Sequence, residues 1–394
     1  MDSYFERDKF QLFHGDTMDI LNSLDKKVDV IFADPPYFLS KGFTMRAKGR
    51  VKCFDKGKWD KVRPLSEVND FNMKWLSLCR NLLKDNGTIW VSGTYHNIYS
   101  VANCMVELGY KILNVIVWCK PDAPLTLSDS HFNFSAEYII WARKYKDKRH
   151  FYNIDLMTSI NGGKRMSDVW NIPTTGLWEK TCGKHPTQKP LRLMYRIILS
   201  STQEGDIVLD PFAGSCTTGI ASNLLGRSFI GIDQDKDYLD LGIKRKLEIE
   251  NEVNASKIFR KMSECPNEVM VLVNHAREEL KKKMIETGIC YLRAGDSKGS
   301  LCVTPGFERM QYVILHTGGE QVKMFRLKKR GCFQIWTKET LKGYGFNPEH
   351  ASYYIVVLFD NKNEIAISKD INIKERLNTF RARLRPLSDY IGIK

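Results

Sequence analysis

The chain has 394 residues, 43% hydrophobic and 27% charged, enough to bury a core in each of two folded units. No run approaches the roughly 20 apolar residues of a membrane span, and Met1-Asp2-Ser3-Tyr4-Phe5-Glu6-Arg7 lacks the basic-then-apolar layout of a secretory leader, so a cytoplasmic protein without membrane attachment is expected. Ten cysteines without a C-x-x-C pair or Cys/His ligand spacing argue against a disulfide framework and predict no metal site, while a formal charge of +14 favours a polyanionic partner.

In chain order, apolar runs ending at acidic or turn-forming residues alternate with helical periodicity, the pattern of an α/β fold with a largely parallel sheet. Val28 to Ala33 reads as a strand running into Asp34. Leu76, Cys79, Leu82 and Leu83 share a helix face before an Asn86-Gly87 turn, and Thr88 to Val91 is the next strand. Ile112 to Trp118 and Glu137 to Trp141 are further strands, and Leu191, Met194, Ile197 and Ile198 line a helix after Pro190. Ile207 to Leu209 runs into Asp210, Phe229 to Ile232 into Asp233, and 237–252 reads as a helix. Beyond about residue 255 a charged helix (Ala276 to Ile285) and strands such as Tyr312 to Leu315 and Tyr353 to Leu358 predict a separate α+β unit. No fixed-period repeat is present.

Asp34-Pro35-Pro36-Tyr37 sits at a strand's carboxyl end, where open α/β sheets place their ligands, and the two prolines stiffen the turn. An exocyclic purine amine is a poor nucleophile because its lone pair is delocalised. Acceptors on its protons, here the Asp34 carboxylate and the Pro35 carbonyl, draw that pair towards an electrophile, and Tyr37 offers a stacking face for the base. The alternative is a rigid turn with Asp34 as a cap. A second strand end, Asp210-Pro211-Phe212-Ala213-Gly214-Ser215-Cys216-Thr217, opens a helix through small residues that let backbone N–H groups approach a ligand. Asp233, about twenty residues on, suits a ribose diol, and the absence of G-x-G-x-x-G argues for an adenosine-bearing ligand other than NAD.

With Lys184-His185-Pro186-Thr187-Gln188-Lys189-Pro190 just before the second motif, residues 10–250 resemble the β-class amino-methyltransferases of bacterial restriction-modification systems. The resemblance implies a Rossmann-like S-adenosylmethionine-dependent methyltransferase fold with circularly permuted motif order, followed by the α+β extension. It implies Asp34, Pro35 and Tyr37 in catalysis, with Pro36 shaping the turn. Around S-adenosyl-L-methionine it puts Asp16, Asp210, Phe212, Ala213, Gly214, Thr217 and Asp233, with Thr187, Gln188 and Lys189 closing over the methionine end. Cys216 stands where the family usually has glycine. Aspartate rather than serine at position 34 favours adenine N6 over cytosine N4, and the absence of a Pro-Cys dipeptide argues against C5 chemistry. A non-catalytic DNA-binding relative is the alternative from another class. Asp34 to Ser40, Trp59-Asp60-Lys61, Ser92-Gly93 through Asn97 to Val101, and Ile140 to Lys144 resemble most the second methyltransferase of GATC-specific, Dpn-type systems, which implies DNA as substrate and a cognate endonuclease as genetic partner; a homodimer is compatible.

Lys41, Arg46, Lys48, Arg50 and Lys52 form a basic, glycine-spaced segment after Tyr37, expected to be a loop on DNA phosphates. Residues 145–185, with Lys164 and Arg165, are expected to read bases within a catalytic domain of residues 1–254, followed by a domain of residues 255–394. There Arg326 and Lys328 beside Phe325, Phe333 and Trp336 suggest a further DNA-binding face.

Overall fold

A computed structural model describes residues 2–38, 43–47, 50–54, 61–126, 130–161, 163–175, 177–180, 182–250, 270–294, 300–301, 310–317, 322–328, 333–348, 351–365 and 383–387. The chain divides into two compact units, Met1–Asn153 with Ser167–Arg245, and Ile154–Met166 with Lys246–Lys394. The division falls inside a helix, nine residues before the expected boundary, and groups 154–166 with the second unit rather than the first.

The strands of the first unit are β1 (Phe5–Arg7), β2 (Phe10–His14), β3 (Val28–Ala33), β4 (Phe43–Ala47), β5 (Arg50–Phe54), β6 (Leu83–Gly93), β7 (Lys111–Cys119), β8 (Leu125–Thr126), β9 (Ala136–Arg143), β10 (Val169–Asn171), β11 (Ile207–Asp210) and β12 (Ser228–Asp233). Nine of them form one sheet in the order β1-β2-β12-β11-β3-β6-β9-β7-β10. Strands β1 and β9 run antiparallel to their neighbours and the other pairings are parallel. Strand β11, late in the sequence, pairs with β3, early in it, through Val208↔Val30 and Leu209↔Ile31. That pairing sets the Asp34 turn beside the Asp210 turn at the carboxyl ends of two central strands, which is the permuted arrangement the motif order implies.

Helices α1 (Thr17–Ser23), α2 (Leu65–Leu82) and α3 (Ile98–Glu107) bury apolar faces on the sheet. Trp75, Leu76 and Cys79 of α2 meet Val101 and Met105 of α3 over Ile31, Ile89 and Val91. Each such side chain contributes roughly 1.5–3 kcal/mol on burial. Helix α5 (Leu191–Ser201) buries Leu191, Met194, Ile197 and Ile198, the face its spacing predicts; α6 (Thr217–Leu224) and α7 (Lys236–Glu250) follow, and α4 (Ile154–Ile160) belongs to the second unit.

Two local expectations change. Asn86-Gly87 is not a turn between helix and strand but part of β6, where the register steps from Val28↔Leu83 to Val30↔Thr88, so the extra residues bulge from a continuous strand. The basic segment after Tyr37 is not a loop over its described part. Its apolar alternation (Phe43, Met45; Val51, Cys53) supports a β4–β5 hairpin in register Arg46↔Val51, joined by β8 at Met45↔Thr126.

The second unit is α+β. An eight-stranded mixed sheet includes Met270–His275, parallel to Met310–His316, and Tyr353–Ile365, antiparallel to Ile289–Ala294, with helix Glu278–Thr287 between strands Met270–His275 and Ile289–Ala294. Phe325 and Phe333 are buried here, so they serve its core and not an exposed stacking face, because an apolar ring loses more in water than a neighbouring Arg326 gains from it.

Candidate active site

Asp34 leaves β3 at its carboxyl end, and both of its oxygens are engaged. Oδ1 accepts from the Tyr37 hydroxyl at 2.6 Å and Oδ2 from the Lys189 ammonium at 2.5 Å, 155 residues away in sequence. Tyr37 is buried, with 7% of its surface exposed, and lies 3.2 Å through its hydroxyl from Ser92 Oγ on β6. Burial first, then the Asp34 and Glu137 charges, push the Tyr37 phenol well above its ordinary range, so it is a permanent donor to Asp34. The expected stacking face of Tyr37 is not open in this arrangement. Phe38 follows with φ of 56°, left-handed backbone that a bulky residue holds only when its surroundings fix it; its ring packs edge-on to Phe71 and under Arg63.

Lys189 is buried, and burial lowers its pKa, but the Asp34 and Glu137 carboxylates more than offset this and leave it raised. Its Nζ stands 3.9 Å from Glu137 Oε2, while Glu137 Oε1 accepts from Lys120 at 2.8 Å. Sequence reasoning placed Lys189 at the cofactor and passed over Glu137 and Ser92. The available signal was a charged residue opening the apolar strand Tyr138 to Ala142, and it carried no hint of which partner it would meet.

The neighbouring strand ends use their carboxylates differently. Asp210 is buried, with Oδ1 accepting from the Phe212 N–H at 3.0 Å and Oδ2 from the Thr218 hydroxyl at 2.6 Å. Burial pushes its carboxyl up to about 7 despite those two bonds. Asp233 Oδ2 accepts from the Gly214 N–H at 2.7 Å and Oδ1 from the Asp235 N–H at 2.8 Å. Asp16 caps α1, its Oδ1 accepting from Met18 N–H at 2.8 Å.

A cavity of about 120 Å³ lies between these turns, bounded by Asp16, Met18, Asp34, Pro36, Phe71, His185, Thr187, Phe212, Gly214, Asp233 and Tyr238. It shares Asp16, Met18, Pro36 and Phe71 with a wider cleft of about 990 Å³. Four carboxylates with apolar Met18, Phe71 and Phe212 suit a cationic, adenosine-bearing ligand: Asp16, Asp34, Asp233 and Asp235. Burial pushes the His185 imidazole down to about 4, so it stays neutral and adds no positive charge beside such a ligand. Gly214, with φ of +49°, lies so close to His185 that a Cβ there would stand 3.0 Å from Nε2.

Several expected cofactor residues turn away from this cavity. Cys216 holds the left-handed N-cap of α6 (φ 58°), which explains why glycine suits the position, and its thiol packs on Gly242 of α7, where a Cβ would stand 2.4 Å from Sγ. The Thr217 hydroxyl accepts from buried Arg245 at 2.9 Å, and the same guanidinium bonds Ser215. Ala213 donates its N–H to Ile232. Gln188 points at the Glu179 carbonyl, 3.0 Å away. Arg46, Arg50 and Lys52 lie on the β4–β5 hairpin, Lys164 and Arg165 are exposed after α4, and Lys41 and Lys48 lie outside the described residues.

The strand order, with two motif-bearing strand ends side by side, defines a Rossmann-like α/β methyltransferase with permuted motifs. A family model described as DNA methylase (N6_N4_Mtase) matches residues 28–244. The type II methyltransferase M2.DpnII of Streptococcus pneumoniae is 51% identical over 253 residues, 64% of this chain and 94% of that protein, and M2.MboI of Moraxella bovis is 49% identical over 249 residues, 62% and 91%. Among solved structures, the M1.HpyAVI-SAM complex has a TM-score of 0.47 at 30% identity, covering 60% of this chain and 98% of that one. The cytosine-N4-specific PvuII DNA methyltransferase has 0.49 at 19%, covering 64% and 90%. The chain belongs to the N6/N4 DNA methylase family and is a DNA methyltransferase. Among the described residues no helix is long and apolar enough to cross a membrane.

Proposed function

We infer that the protein transfers a methyl group from S-adenosyl-L-methionine to N6 of adenine in one short DNA sequence, as the modifying enzyme of a type II restriction-modification system. The observation that carries this reading is the Asp34 carboxylate, held from two sides by Tyr37 and Lys189 while facing the cavity. A carboxylate offers about four lone-pair sites, so two remain to accept an adenine N–H, with the Pro35 carbonyl for the other proton. The target base must leave its stack to reach this depth. Aspartate at position 34 favours adenine over cytosine N4.

Bound in the cavity, S-adenosyl-L-methionine supplies an electrophilic methyl carbon on a sulfonium. Asp233 and Asp16 keep unused lone pairs that would hold its hydroxyl and amino groups, and Phe212 and Thr187 would border it, while Asp210, Ala213, Cys216, Thr217 and Gln188 hold the shape of the walls. Lys189 acts on Asp34 rather than on the cofactor. Arg46, Arg50 and Lys52, with Lys41 and Lys48, contact DNA phosphates, while Lys164 and Arg165 belong to the base-reading region. Residues 1–254 act as the catalytic domain, with base reading in 145–185 and a separate domain at 255–394. Similarity to M2.DpnII and M2.MboI supports GATC as the target, with the cognate endonuclease a genetic partner.

The test is incubation of purified protein with methyl-labelled S-adenosyl-L-methionine and oligonucleotides carrying GATC or a scrambled site, followed by nucleoside analysis. N6-methyladenine confined to the GATC oligonucleotide is expected. Labelled N4-methylcytosine in its place would overturn the choice of base, and equal labelling of both oligonucleotides the choice of site.

A further inference from the structure

Four aromatic rings outside the site form a continuous exposed row at the same end of the sheet. Tyr95 stacks on Phe134 with centroids 5.3 Å apart and planes at 15°, His96 lies 3.8 Å from Tyr95, and His131 lies 5.0 Å from Phe134. Tyr95 is 42% and Phe134 38% exposed, and the adjacent Phe132 is 96% exposed, a state that costs an apolar ring its whole transfer free energy.

The row is tied to the catalytic turn on both sides. Tyr95 follows Ser92, whose hydroxyl touches Tyr37, by three residues, and Phe134 precedes Glu137, the carboxylate beside Lys189, by three. At no more than about 3.6 Å per residue, the Cα atoms of Tyr95 and Phe134 each lie within roughly 11 Å of that of a residue in the Asp34 network. The turn carrying Tyr95 is fixed: Asn97 is buried and its Oδ1 accepts from the Thr94 N–H at 3.0 Å. Phe134 follows β8 by eight residues in sequence, and β8 pairs with Met45 and Arg46 of the basic hairpin. Cationic hairpin and aromatic row are thus joined through β8, one suited to phosphates and the other to base faces.

We propose that Tyr95 and Phe134, flanked by His96 and His131, are a stacking platform for an unpaired nucleobase beside the flipped target, with Phe132 reaching into the gap that flipping leaves. This rests on the reading of the chain as a base-flipping DNA methyltransferase. Stacking is tolerant of base identity, so the platform contributes affinity and strand opening while sequence choice lies elsewhere.

The test uses the full-length protein and an oligonucleotide with 2-aminopurine next to the target adenine, whose emission dims on stacking. The wild type should dim the probe. Tyr95→Ala/Phe134→Ala should restore emission and weaken DNA binding about tenfold or more, with S-adenosyl-L-methionine affinity unchanged. Tyr95→Phe/Phe134→Tyr should behave as wild type. Unaltered DNA binding and dimming in the double alanine protein would overturn the platform and assign the rings to a protein surface. Failure of the wild type to methylate the same DNA would count against the enzymatic reading alone, because binding and dimming are read without turnover.

Discussion

The two neighbouring strand ends of the sheet use the same residue type to opposite ends. On β3, Asp34 is held by side chains, the Tyr37 hydroxyl and the Lys189 ammonium, and keeps a face towards the cavity. On β11 and β12, Asp210 accepts from the Phe212 N–H and the Thr218 hydroxyl, and Asp233 from the Asp235 N–H and, across to the neighbouring turn, the Gly214 N–H, so the two fix the loop that wraps a ligand. An aspartate after a parallel strand is therefore ambiguous in sequence. What separates the two here is the kind of partner: Asp34 is held by side chains, one of them a cation 155 residues away, whereas Asp210 and Asp233 each accept backbone N–H groups.

The sharpest way to break this contrast is Asp34→Ala. Methyl transfer should fall by ~10³-fold or more while S-adenosyl-L-methionine binding by calorimetry stays within a few-fold. Near-normal turnover would place Asp34 among the architectural aspartates. Lys189→Met comes next. It leaves Asp34 and Glu137 without their shared cation, so kcat should drop by roughly 10²-fold and stability by about 3 kcal/mol. Adding Asp34→Asn should recover part of the melting temperature, because it removes the carboxylate left without its cation.

Asp210 tests the other side. Its folded pKa of about 7 exceeds the ordinary value of 3.8, so the folded protein holds a proton that the unfolded chain releases between those limits. The stability this group contributes is complete below pH 3.8 and lost as pH rises through 7. Asp210→Asn keeps an acceptor for the Phe212 N–H and removes the titration, so melting scans should show a smaller decline from pH 6 to pH 8 than in the wild type; an unchanged decline would contradict the assignment. The smallest effects concern Cys216. Gly242→Ala should destabilise by about 2 kcal/mol by driving a methyl into Sγ, and Cys216→Gly should rescue it. Alone, Cys216→Gly trades relief of left-handed backbone, roughly 1 kcal/mol, against a lost thiol contact, and chemical denaturation should detect little net change.

Strands β3, β11 and β12 were legible because each is an apolar run stopped by aspartate, and the two motifs identified the strand ends that carry the site. Contacts between distant strand ends were not. Lys189 with Asp34 and Arg245 with the 215–217 turn join residues far apart in sequence that share no periodicity. The basic segment after Tyr37 read as a loop because its charges and glycines outweighed a short alternation, and pairing with β8 settled it as a hairpin. Thr217 and Cys216 sit in the expected turn, but their side-chain directions follow from left-handed backbone and helix α7 behind them.

The most direct measurement is the methylation pattern of a plasmid from cells expressing the wild-type chain or Asp34→Ala, read by long-read sequencing that separates modified adenine from modified cytosine. The account predicts N6-methyladenine at one short motif in the wild type and none with Asp34→Ala. Modified cytosine, or adenine marks that survive the substitution, would contradict it.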